Sequence, residues 1–457
     1  MQDRIGRRRV GLWAVAVAAI VLGGCATYSP KPLPTRPSLA HSVSRLTVNL
    51  DPRLPLKRHV VDPSRGFDMT DVTILAVVNN PDLKLTRDAA GIARAQAFAA
   101  GLLPDPQLNL ASDFPTSGIA SSNAFNLGLG FDFRALLTHA STTAASRAES
   151  RKADLELLWQ EWQVISRARL LFVHAVENAK TLKVLRDQRQ LFETRYRRTR
   201  TAQRHGNATL TTTSQEFAAV QDIDRQINDL QRKMEKNHHD LNTLLGLEPN
   251  VKLPLRGSAT VAAITPTAAA AAIRRLPQCR PDLLALKAGY QAQEEKLRGA
   301  ILKQFPALTV GITRARDTSS VYTGGFAITI NLPIFNRNRG NIAIETATRR
   351  KLYDMFQTRL NTADADVAQL IDDRRLVRQQ LKEVRKGLAG LEEVNRRAQQ
   401  AFDAGNFDIL AYTNLRGALL RKRLERIALE QSVLESNVAL QTLVGCGASQ
   451  AAGTGNK

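Results

Sequence analysis

The sequence predicts an α+β membrane protein in which a long α-helical coiled-coil barrel accompanies four β-strands per chain. Four short segments alternate apolar and polar residues with the period of two that a β-strand requires. Two much longer segments repeat apolar residues at spacings of three and four, which is the pattern of a coiled coil. Few aromatic residues and an Ala-, Leu-, Arg-, Gln- and Glu-rich middle of each half favour long helices over a compact core.

The strand pattern is clearest in the stretch 326–345. Phe326, Ile328 and Ile330 point to one side of an extended chain, and the Ala and Thr residues between them point to the other. Pro333 ends the run because it cannot donate to a strand ladder, and a polar turn then leads into a helical pattern. Three further alternating segments complete two strand pairs. The predicted pairs are 106–114 with 124–133 and 306–314 with 324–332.

The longest helix is predicted over residues 135–205, which contain neither Pro nor Gly. About 65–70 residues at about 1.5 Å each give a rod of about 100 Å, longer than a globular core needs. A second rod is predicted over 340–404, and return helices roughly half as long follow over 210–245 and 409–444. We expect each rod to pack against the helix before its strand pair and the return helix after its turn.

The chain is predicted to contain two tandem structural repeats, 68–257 and 258–447, followed by a disordered tail over 448–457. Each repeat reads helix, strand, strand, long helix, turn and return helix, and an Ala-rich junction separates the two. The echoed motifs are NPDL at 80–83 with RPDL at 280–283, and GN at 206–207 with GN at 405–406.

The N-terminus has the features of a secretory signal peptide over residues 1–24, with a basic segment and an apolar run too short to span a bilayer comfortably. The sequence Leu-Gly-Gly-Cys that ends at Cys25 resembles the lipobox of bacterial lipoproteins; the alternative is a plain signal peptide with an incidental cysteine. The resemblance implies cleavage before Cys25 and attachment of lipid, such as palmitate, to it. Because Ala26 and not Asp follows, it also implies export to the outer membrane. The Pro-rich residues 25–67 are predicted to form a lipid-anchored extended segment.

The other two cysteines, Cys279 and Cys446, belong to no metal-ligand or redox spacing. They are the only possible disulfide pair once Cys25 is acylated, and the sequence does not say whether they meet. We expect two free thiols.

The formal net charge of +22 raises the question of nucleic-acid binding. Basic residues are spread along helical faces without an aromatic-rich platform, so we expect no nucleic-acid partner. His238 and His239 are adjacent on a helix and diverge, so they cannot chelate one metal ion as a pair. No catalytic constellation or nucleotide loop is present. We therefore expect no enzyme activity, no metal, and no cofactor apart from the covalent lipid on Cys25.

Four strands cannot close a membrane barrel, because single-chain bacterial barrels begin at about eight strands and an open edge in lipid leaves backbone groups unpaired. Strands of about 8–10 residues have the length that crosses the outer membrane when tilted. We expect three copies to share one 12-stranded transmembrane β-barrel that the long helices continue. Inward strand positions would then line the lumen, the alternative being the outer face of a soluble sheet. These positions are Asn126, Asp132, Thr329 and Asn331.

Taken together, these features resemble the TolC-like outer-membrane factor family. The lipobox, the NPDL helix, the strand pairs, the stretch LPIFNRNRGN at 332–341 and the Gly turns carry the resemblance, which covers nearly all of 68–447. It implies a homotrimeric channel in the outer membrane of a Gram-negative bacterium, docked to a periplasmic adaptor and an inner-membrane pump. Such a channel is the passive exit duct of a tripartite efflux system. The alternatives are a non-conducting periplasmic coiled-coil scaffold and the outer-membrane component of a type I secretion system.

The resemblance also assigns sites, because in the family the Gly turn at the periplasmic end of each long helix receives the adaptor. The simpler interpretation is a helix C-cap followed by an N-capping side chain. The matching residues are Gly206, Asn207, Ala208, Thr209, Gly405, Asn406, Phe407 and Asp408.

Family members often carry an acidic residue nine positions after the second Gly, where it narrows the pore. Asn414 occupies that position here, so no acidic ring is expected. The resemblance then implies a constriction formed by Tyr412, Asn414 and Arg416, the alternative being ordinary helix packing. The 332–341 stretch is most similar to the heavy-metal-cation branch of the family, but nothing in the sequence identifies the cargo.

Overall fold

The computed structural model describes residues 28–46, 61–117 and 122–445. The predicted signal peptide, the predicted lipid-bearing Cys25 and the predicted tail 448–457 lie outside these residues. The chain divides into a short unit that ends at Leu39 and a main unit that begins at Ala40. Within the short unit, the described residues 28–39 form neither helix nor strand.

The main unit combines long helices with one four-stranded sheet, so this part of the predicted fold class is confirmed. Its first half consists of α1 Met69–Asn79, α2 Pro81–Gly101, β1 Gln107–Asp113, β2 Ala124–Asp132, α3 Phe133–Arg204 and α4 Leu210–Leu244. Its second half consists of α5 Pro266–Ile273, α6 Leu276–Cys279, α7 Pro281–Leu302, β3 Ala307–Arg316, β4 Tyr322–Asn331, α8 Arg339–Asp403 and α9 Ile409–Val444. Within the described residues, no helix is both long enough and apolar enough to cross a bilayer.

The two rods are α3, with 72 residues, and α8, with 65 residues. At about 1.5 Å per residue they are about 110 Å and about 100 Å long. The order helix, strand pair, rod and return helix occurs once in each half. The interpretation of the halves as tandem repeats, their boundaries, and the trimeric barrel stay predictions.

Local chemistry explains where the first helices begin and end. Asp68 accepts backbone N–H bonds from the first turn of α1 and completes a capping box. Asn80 separates α1 from α2, and its Oδ1 accepts a hydrogen bond from the Leu83 N–H at 2.9 Å. Pro81 occupies the first position of α2, where a missing N–H removes no helical hydrogen bond.

The sheet is antiparallel throughout, in the order β1-β2-β3-β4. Leu129 in β2 pairs with Leu108 in β1 and with Ile312 in β3, and Ile312 pairs in turn with Phe326 in β4. Because directly paired residues lie on the same face of a sheet, these four form one apolar row across all the strands. The two predicted hairpins therefore join through β2 and β3 into a single sheet.

The rods organise the packing of the other helices. α3 contacts α2 and α4, and α8 contacts α7 and α9, which are the two neighbours predicted for each rod. α3 also contacts α7 and α9, so the two halves pack against each other. A buried apolar cluster lies where α1, α3 and the end of α4 meet, and it includes Phe67, Leu75, Phe172 and Leu245. Each of these side chains is almost completely removed from solvent.

The prediction of two free thiols is wrong for Cys279, which is disulfide-bonded. Cys279 is the last residue of α6. The other two cysteines, Cys25 and Cys446, lie outside the described residues. Sequence spacing excluded a local metal or redox motif, but a disulfide joins residues that the fold brings together, which spacing alone does not reveal.

Candidate functional site

One face of the sheet is polar and rich in glycine. The register places all four predicted lumen residues, Asn126, Asp132, Thr329 and Asn331, on this face. Asp132 has a second role, because its Oδ1 accepts a hydrogen bond from the Arg134 N–H at 2.8 Å and so caps α3. The structure therefore brings the four residues together on one surface, whereas their position in a lumen stays a prediction.

Glycines on this face allow the backbones of β2 and β3 to lie close together. A Cβ atom on Gly311 would lie 2.7 Å from the carbonyl oxygen of Leu129 and 3.2 Å from the Cα of Gly130. No side chain fits there without movement of the backbone. Gly311 was not among the predicted residues, although its alternation with Val310 and Ile312 places it on the small-residue face of β3.

The opposite face of the sheet is apolar and exposed to solvent. Phe326 is 86% exposed, Ile328 64% and Leu110 75%. A soluble sheet normally buries such a face, and contiguous exposed apolar patches mark interaction or membrane surfaces. Among the described strands, β1 pairs only with β2 and β4 only with β3, so this sheet leaves both of its edges available for pairing.

The first turn joins α3 to α4 through a left-handed glycine. Gly206 has a φ of +75°, and the Asn207 N–H donates to the Ala202 carbonyl at 2.8 Å, as in a Schellman motif. Thr209 then caps α4, because its Oγ1 accepts a hydrogen bond from the Thr212 N–H at 3.2 Å. Ala208 lies between the two caps and is half-buried.

The second turn, between α8 and α9, repeats this geometry. Gly405 has a φ of +77°, and the Asn406 N–H donates to the Ala401 carbonyl at 2.8 Å. Asp408 caps α9 by accepting the Ala411 N–H at 2.8 Å. The capping interpretation is thus confirmed for both turns, while contact with an adaptor stays a prediction.

A cleft of about 530 Å³ brings the first turn beside the start of α9. From the first turn it is lined by Asn207, Ala208 and Thr209. From α9 it is lined by Ile409, Leu410 and Thr413, and α3 contributes Arg195, Arg198 and three smaller residues. The first turn and the start of α9, which lie far apart in the sequence, therefore line one cleft.

The three predicted constriction residues do not share one face of α9. Tyr412 stacks on Phe402 of α8, with ring centroids 4.9 Å apart, and donates a hydrogen bond to Gln399 Oε1. Asn414 instead faces α3 and accepts a hydrogen bond from Arg195 at 3.1 Å. Arg416 is exposed and lies four residues after Tyr412, on the same side of the helix. The constriction stays a prediction, and the packing of Tyr412 and Asn414 favours an intrachain role for both.

A buried ion pair beneath Asn414 was not predicted. Arg195 of α3 donates to Glu216 of α4, and the two side chains are only 16% and 8% exposed. Because Arg195 also bonds Asn414, it joins α3, α4 and α9 near the turns. The available signal was Glu216, the first carboxylate after Gly206 in the sequence.

A second cleft, of about 760 Å³, lies between α3, α4 and α9 further from the turns. At its border His174 of α3 contacts Glu435 of α9, with Nε2 and Oε1 2.8 Å apart. The hydrogen bond from His174 lowers the pKa of the Glu435 carboxyl, and a second bond from Gln431 acts in the same direction. Within the described part of the chain, no group of three or more His, Cys, Asp or Glu residues could hold a metal ion.

Comparison with known proteins finds a match to the second half of the chain. Residues 272–446 match the family model described as outer membrane efflux protein. The cation efflux system protein CusC of Escherichia coli K12 is 25% identical to this chain over 178 residues. That alignment covers 37% of this chain and 39% of CusC, so the chain spans about two fifths of the length of the curated relatives it matches.

Solved structures share the fold of this chain over most of its length, including the half that precedes the matched residues. A structure of CusC has a TM-score of 0.67 at 18% identity, over 92% of this chain and 99% of that one. The outer-membrane channel OprN has a TM-score of 0.70 at 15% identity, over 93% and 99%. The open outer membrane channel MtrE of Neisseria gonorrhoeae has a TM-score of 0.69 at 16% identity, over 92% and 98%. These matches show that the chain shares the fold of these outer-membrane channels.

Proposed function

We propose that the protein is the passive exit duct of a tripartite efflux system, formed by three copies in the outer membrane of a Gram-negative bacterium. One observation carries the proposal: a four-stranded sheet exposes an apolar face, and both of its edges are unpaired within the residues that the structure describes. Lipid would cover the apolar face, and strand β4 of one copy would pair with β1 of the next, which leaves no open edge in the membrane. The polar, glycine-rich face would then surround a water-filled lumen.

The helical part of the duct would extend into the periplasm and end at the two turns. There it would meet a periplasmic adaptor, which connects it to an inner-membrane pump that supplies the energy. CusC is named a cation efflux protein, but within the described part of this chain no group of three or more His, Cys, Asp or Glu side chains could hold a metal ion. We therefore assign the choice of cargo to the pump.

Neighbouring positions on β4 provide a matched test of the two faces. Ile328 lies on the apolar face and Thr329 on the polar one, and both are exposed. Arginine on the lipid face of a barrel costs about 2–4 kcal/mol per site near the bilayer midplane, whereas substitutions in a lumen mainly tune selectivity. We expect Ile328→Arg to prevent assembly, and Thr329→Arg to leave a trimer whose conductance shifts towards anions.

Light scattering of the detergent-extracted full chain and conductance in planar bilayers are the measurements. A monomeric wild-type protein, or a trimer that conducts no ions, would contradict the proposal and support the periplasmic scaffold. If Ile328→Arg and Thr329→Arg assembled into trimers equally well, that result would also count against a sheet that faces lipid. The type I secretion alternative predicts the same conductance and differs only in the partner pump.

A further inference from the structure

Two arginines of β3, Arg314 and Arg316, lie on the apolar face of the sheet, at the end that carries the hairpin loops. Directly paired residues share a face, and the partners of both arginines belong to the apolar face. These partners are Leu127 and Gly324 for Arg314, and Phe125 and Tyr322 for Arg316. Between the arginines and the helices, the strands carry only Leu, Val, Ile and Phe side chains on this face.

Aromatic rings and a backbone carbonyl hold Arg316 in place. Its guanidinium carbon lies 5.7 Å from the centre of the Phe125 ring and 6.0 Å from the centre of the Tyr322 ring. Its Nη2 donates to the Asn123 carbonyl at 2.7 Å, and its Nε is buried without a hydrogen-bond partner in the described part of the chain. Aromatic side chains are enriched where a protein crosses from lipid to water, so this arrangement is typical of a membrane interface.

Arg314 is exposed, and the space beside it is open. Its neighbour on β4 is Gly324, where an added Cβ would meet a single atom within 4 Å, the Thr313 carbonyl oxygen at 3.9 Å. The Cα atoms of Arg314 and Arg316 are about 6.6 Å apart, because each residue adds about 3.3 Å along a strand. Two guanidinium groups at this spacing can contact the same phosphate-bearing headgroup, and each presents paired donors to phosphate oxygens.

The two positive charges have no counter-charge on their own face. Within the described strands this face carries no carboxylate. The carboxylates nearest in the sequence are Asp113 and Asp317. Asp113 alternates with Ser112, the partner of Phe125, and so lies on the polar face. Asp317 follows β3, and its Oδ1 accepts the backbone N–H groups of Ser319 and Val321 at 2.8 and 2.9 Å. The surface is therefore complementary to an anion.

The position of the arginines along the strand fits the boundary of a membrane. Arg316 is the last residue of β3, and Arg314 is the third from the end. A lipid-facing arginine is costly near the bilayer midplane and is tolerated near an interface. The long helices begin at the opposite end of the sheet. In a duct whose helices extend into the periplasm, the arginines would lie at the outer leaflet.

We propose that Arg314 and Arg316 bind the phosphate groups of a lipid headgroup in the outer leaflet, as in lipid A. The acyl chains of this lipid would lie along the apolar rows of the same face, beginning with Leu127 and Ile312. The inference rests on the proposed function, because it requires that the apolar face meets lipid and that the loops face outwards. It adds a specific headgroup site to the general contact with lipid.

Lipids that differ in their phosphate groups provide the probe. The detergent-extracted full chain is titrated with diphosphoryl lipid A, monophosphoryl lipid A or phosphatidylglycerol, and bound lipid is counted by native mass spectrometry. We expect diphosphoryl lipid A to bind most tightly. We expect Arg314→Gln/Arg316→Gln to weaken its binding about thirtyfold, or about 2 kcal/mol, since each cation near an anionic membrane surface contributes about 1 kcal/mol.

Two further double variants separate the site from charge in general. Arg198→Gln/Arg200→Gln removes two exposed charges near the far end of α3 and should leave the affinity unchanged. Arg314→Lys/Arg316→Lys keeps both charges without the planar fork and should bind with intermediate affinity. Circular dichroism checks that each variant is folded.

Several results would overturn the inference. They are equal affinity for diphosphoryl lipid A and phosphatidylglycerol, unchanged affinity in the Gln variant at the site, and an equal loss in the α3 control. Displacement of lipid A by inorganic phosphate would also do so, because the arginines would then hold a free anion. Conductance in planar bilayers is measured separately. A conducting trimer without this lipid preference would contradict the headgroup site alone, whereas a non-conducting monomer would contradict the proposed function.

Discussion

The two halves differ most at the point where a strand passes into a long helix. In the first half, Asp132 is both the last residue of β2 and the cap of α3, so no loop intervenes. In the second half, residues 332–338 separate β4 from α8. Arg337 and Asn338 there have φ angles of +47° and +55°, in a region that non-glycine residues rarely occupy. The same order of elements therefore tolerates a direct and a looped junction.

The looped junction is held by an amide in place of a carboxylate cap. Asn338 makes no side-chain capping bond to α8. Its Nδ2 instead donates to the Ala300 carbonyl of α7 at 2.8 Å, and its Oδ1 accepts from Asn341 at 2.7 Å. Asn is among the residues that tolerate the left-handed region best, because its short side chain can bond locally. The loop thus gains a contact to the preceding helix that the direct junction lacks.

A second difference lies at the start of α2 and α7, where NPDL and RPDL occupy equivalent places. Asn80 bonds the Leu244 carbonyl at 3.0 Å in addition to capping α2. Arg280 is 1% exposed, pairs with Asp282 at 2.8 Å, and lies over the Trp159 ring at 4.9 Å. Both residues stand at the N-cap position of a helix. Asn80 places a neutral amide there and Arg280 a buried cation.

Removal of the buried cation should give the largest effect. Arg280→Ala leaves Asp282 buried with Arg359 as its remaining partner, at 2.7 Å. Breaking a buried pair typically costs about 3–5 kcal/mol, whereas Asn80→Ala removes a cap and one further bond at about 1–2 kcal/mol. Urea unfolding of the detergent-extracted variants, followed by circular dichroism, measures both free energies.

Arg280→Met is the control, because it fills the space without a charge and leaves the contact surface of Trp159 covered. We expect it to destabilise less than Arg280→Ala. If Arg280→Ala and Asn80→Ala lower the free energy of unfolding by the same amount, the buried pair contributes little to stability and the two helix starts are energetically alike.

The sequence was sufficient for features that local patterns determine. The return helix α9 was predicted over 409–444 and is observed as Ile409–Val444, because Asp408 caps its start and Gly405 ends the helix before it. Alternation located the strands, since one apolar face per strand is a local property. The sequence predicted which helices pack on each rod, but it missed three other features that depend on residues distant in sequence. The disulfide at Cys279, the β2–β3 pairing and the contact of Asn414 with Arg195 all belong to this group.

The candidate site likewise contains some features that local sequence predicts and others that depend on long-range packing. Both turns could be predicted because a glycine followed by a capping side chain is a signal within a few residues. The cleft between the first turn and α9 could not be predicted, because it is lined by residues about 200 positions apart in the sequence, such as Ala208 and Leu410. Tyr412 contacts α8 and Asn414 contacts α3. These different contacts likewise depend on how α3, α8 and α9 pack.

Replacement of the glycine should lower stability by the same amount at the two turns. The two strand-to-helix junctions, by contrast, differ in structure. A Cβ at Gly206 or Gly405 would meet no other atom within 4 Å, so only the left-handed backbone opposes a side chain. We expect Gly206→Ala and Gly405→Ala each to cost about 1–2 kcal/mol. Gly340→Ala, in open space within α8 and without a positive φ, is the matched control and should be neutral or stabilising. Thermal unfolding measured by circular dichroism distinguishes these outcomes, and a clear inequality between the two turns would reveal a contact that only one of them makes.

The smallest expected effect concerns the direct junction. Asp132→Ala removes the side-chain acceptor that caps α3, and loss of such a cap costs about 1 kcal/mol. Asp132→Asn keeps an acceptor and should cost a few tenths of a kcal/mol, mainly through loss of the favourable charge at a helix N-terminus. Asn338→Gly should be nearly neutral, because relief of the left-handed strain offsets the lost bond to Ala300. Urea unfolding at fixed ionic strength measures all three free energies. If Asn338→Gly destabilises more than Asp132→Ala, the looped junction depends on its amide more than the direct junction depends on its carboxylate.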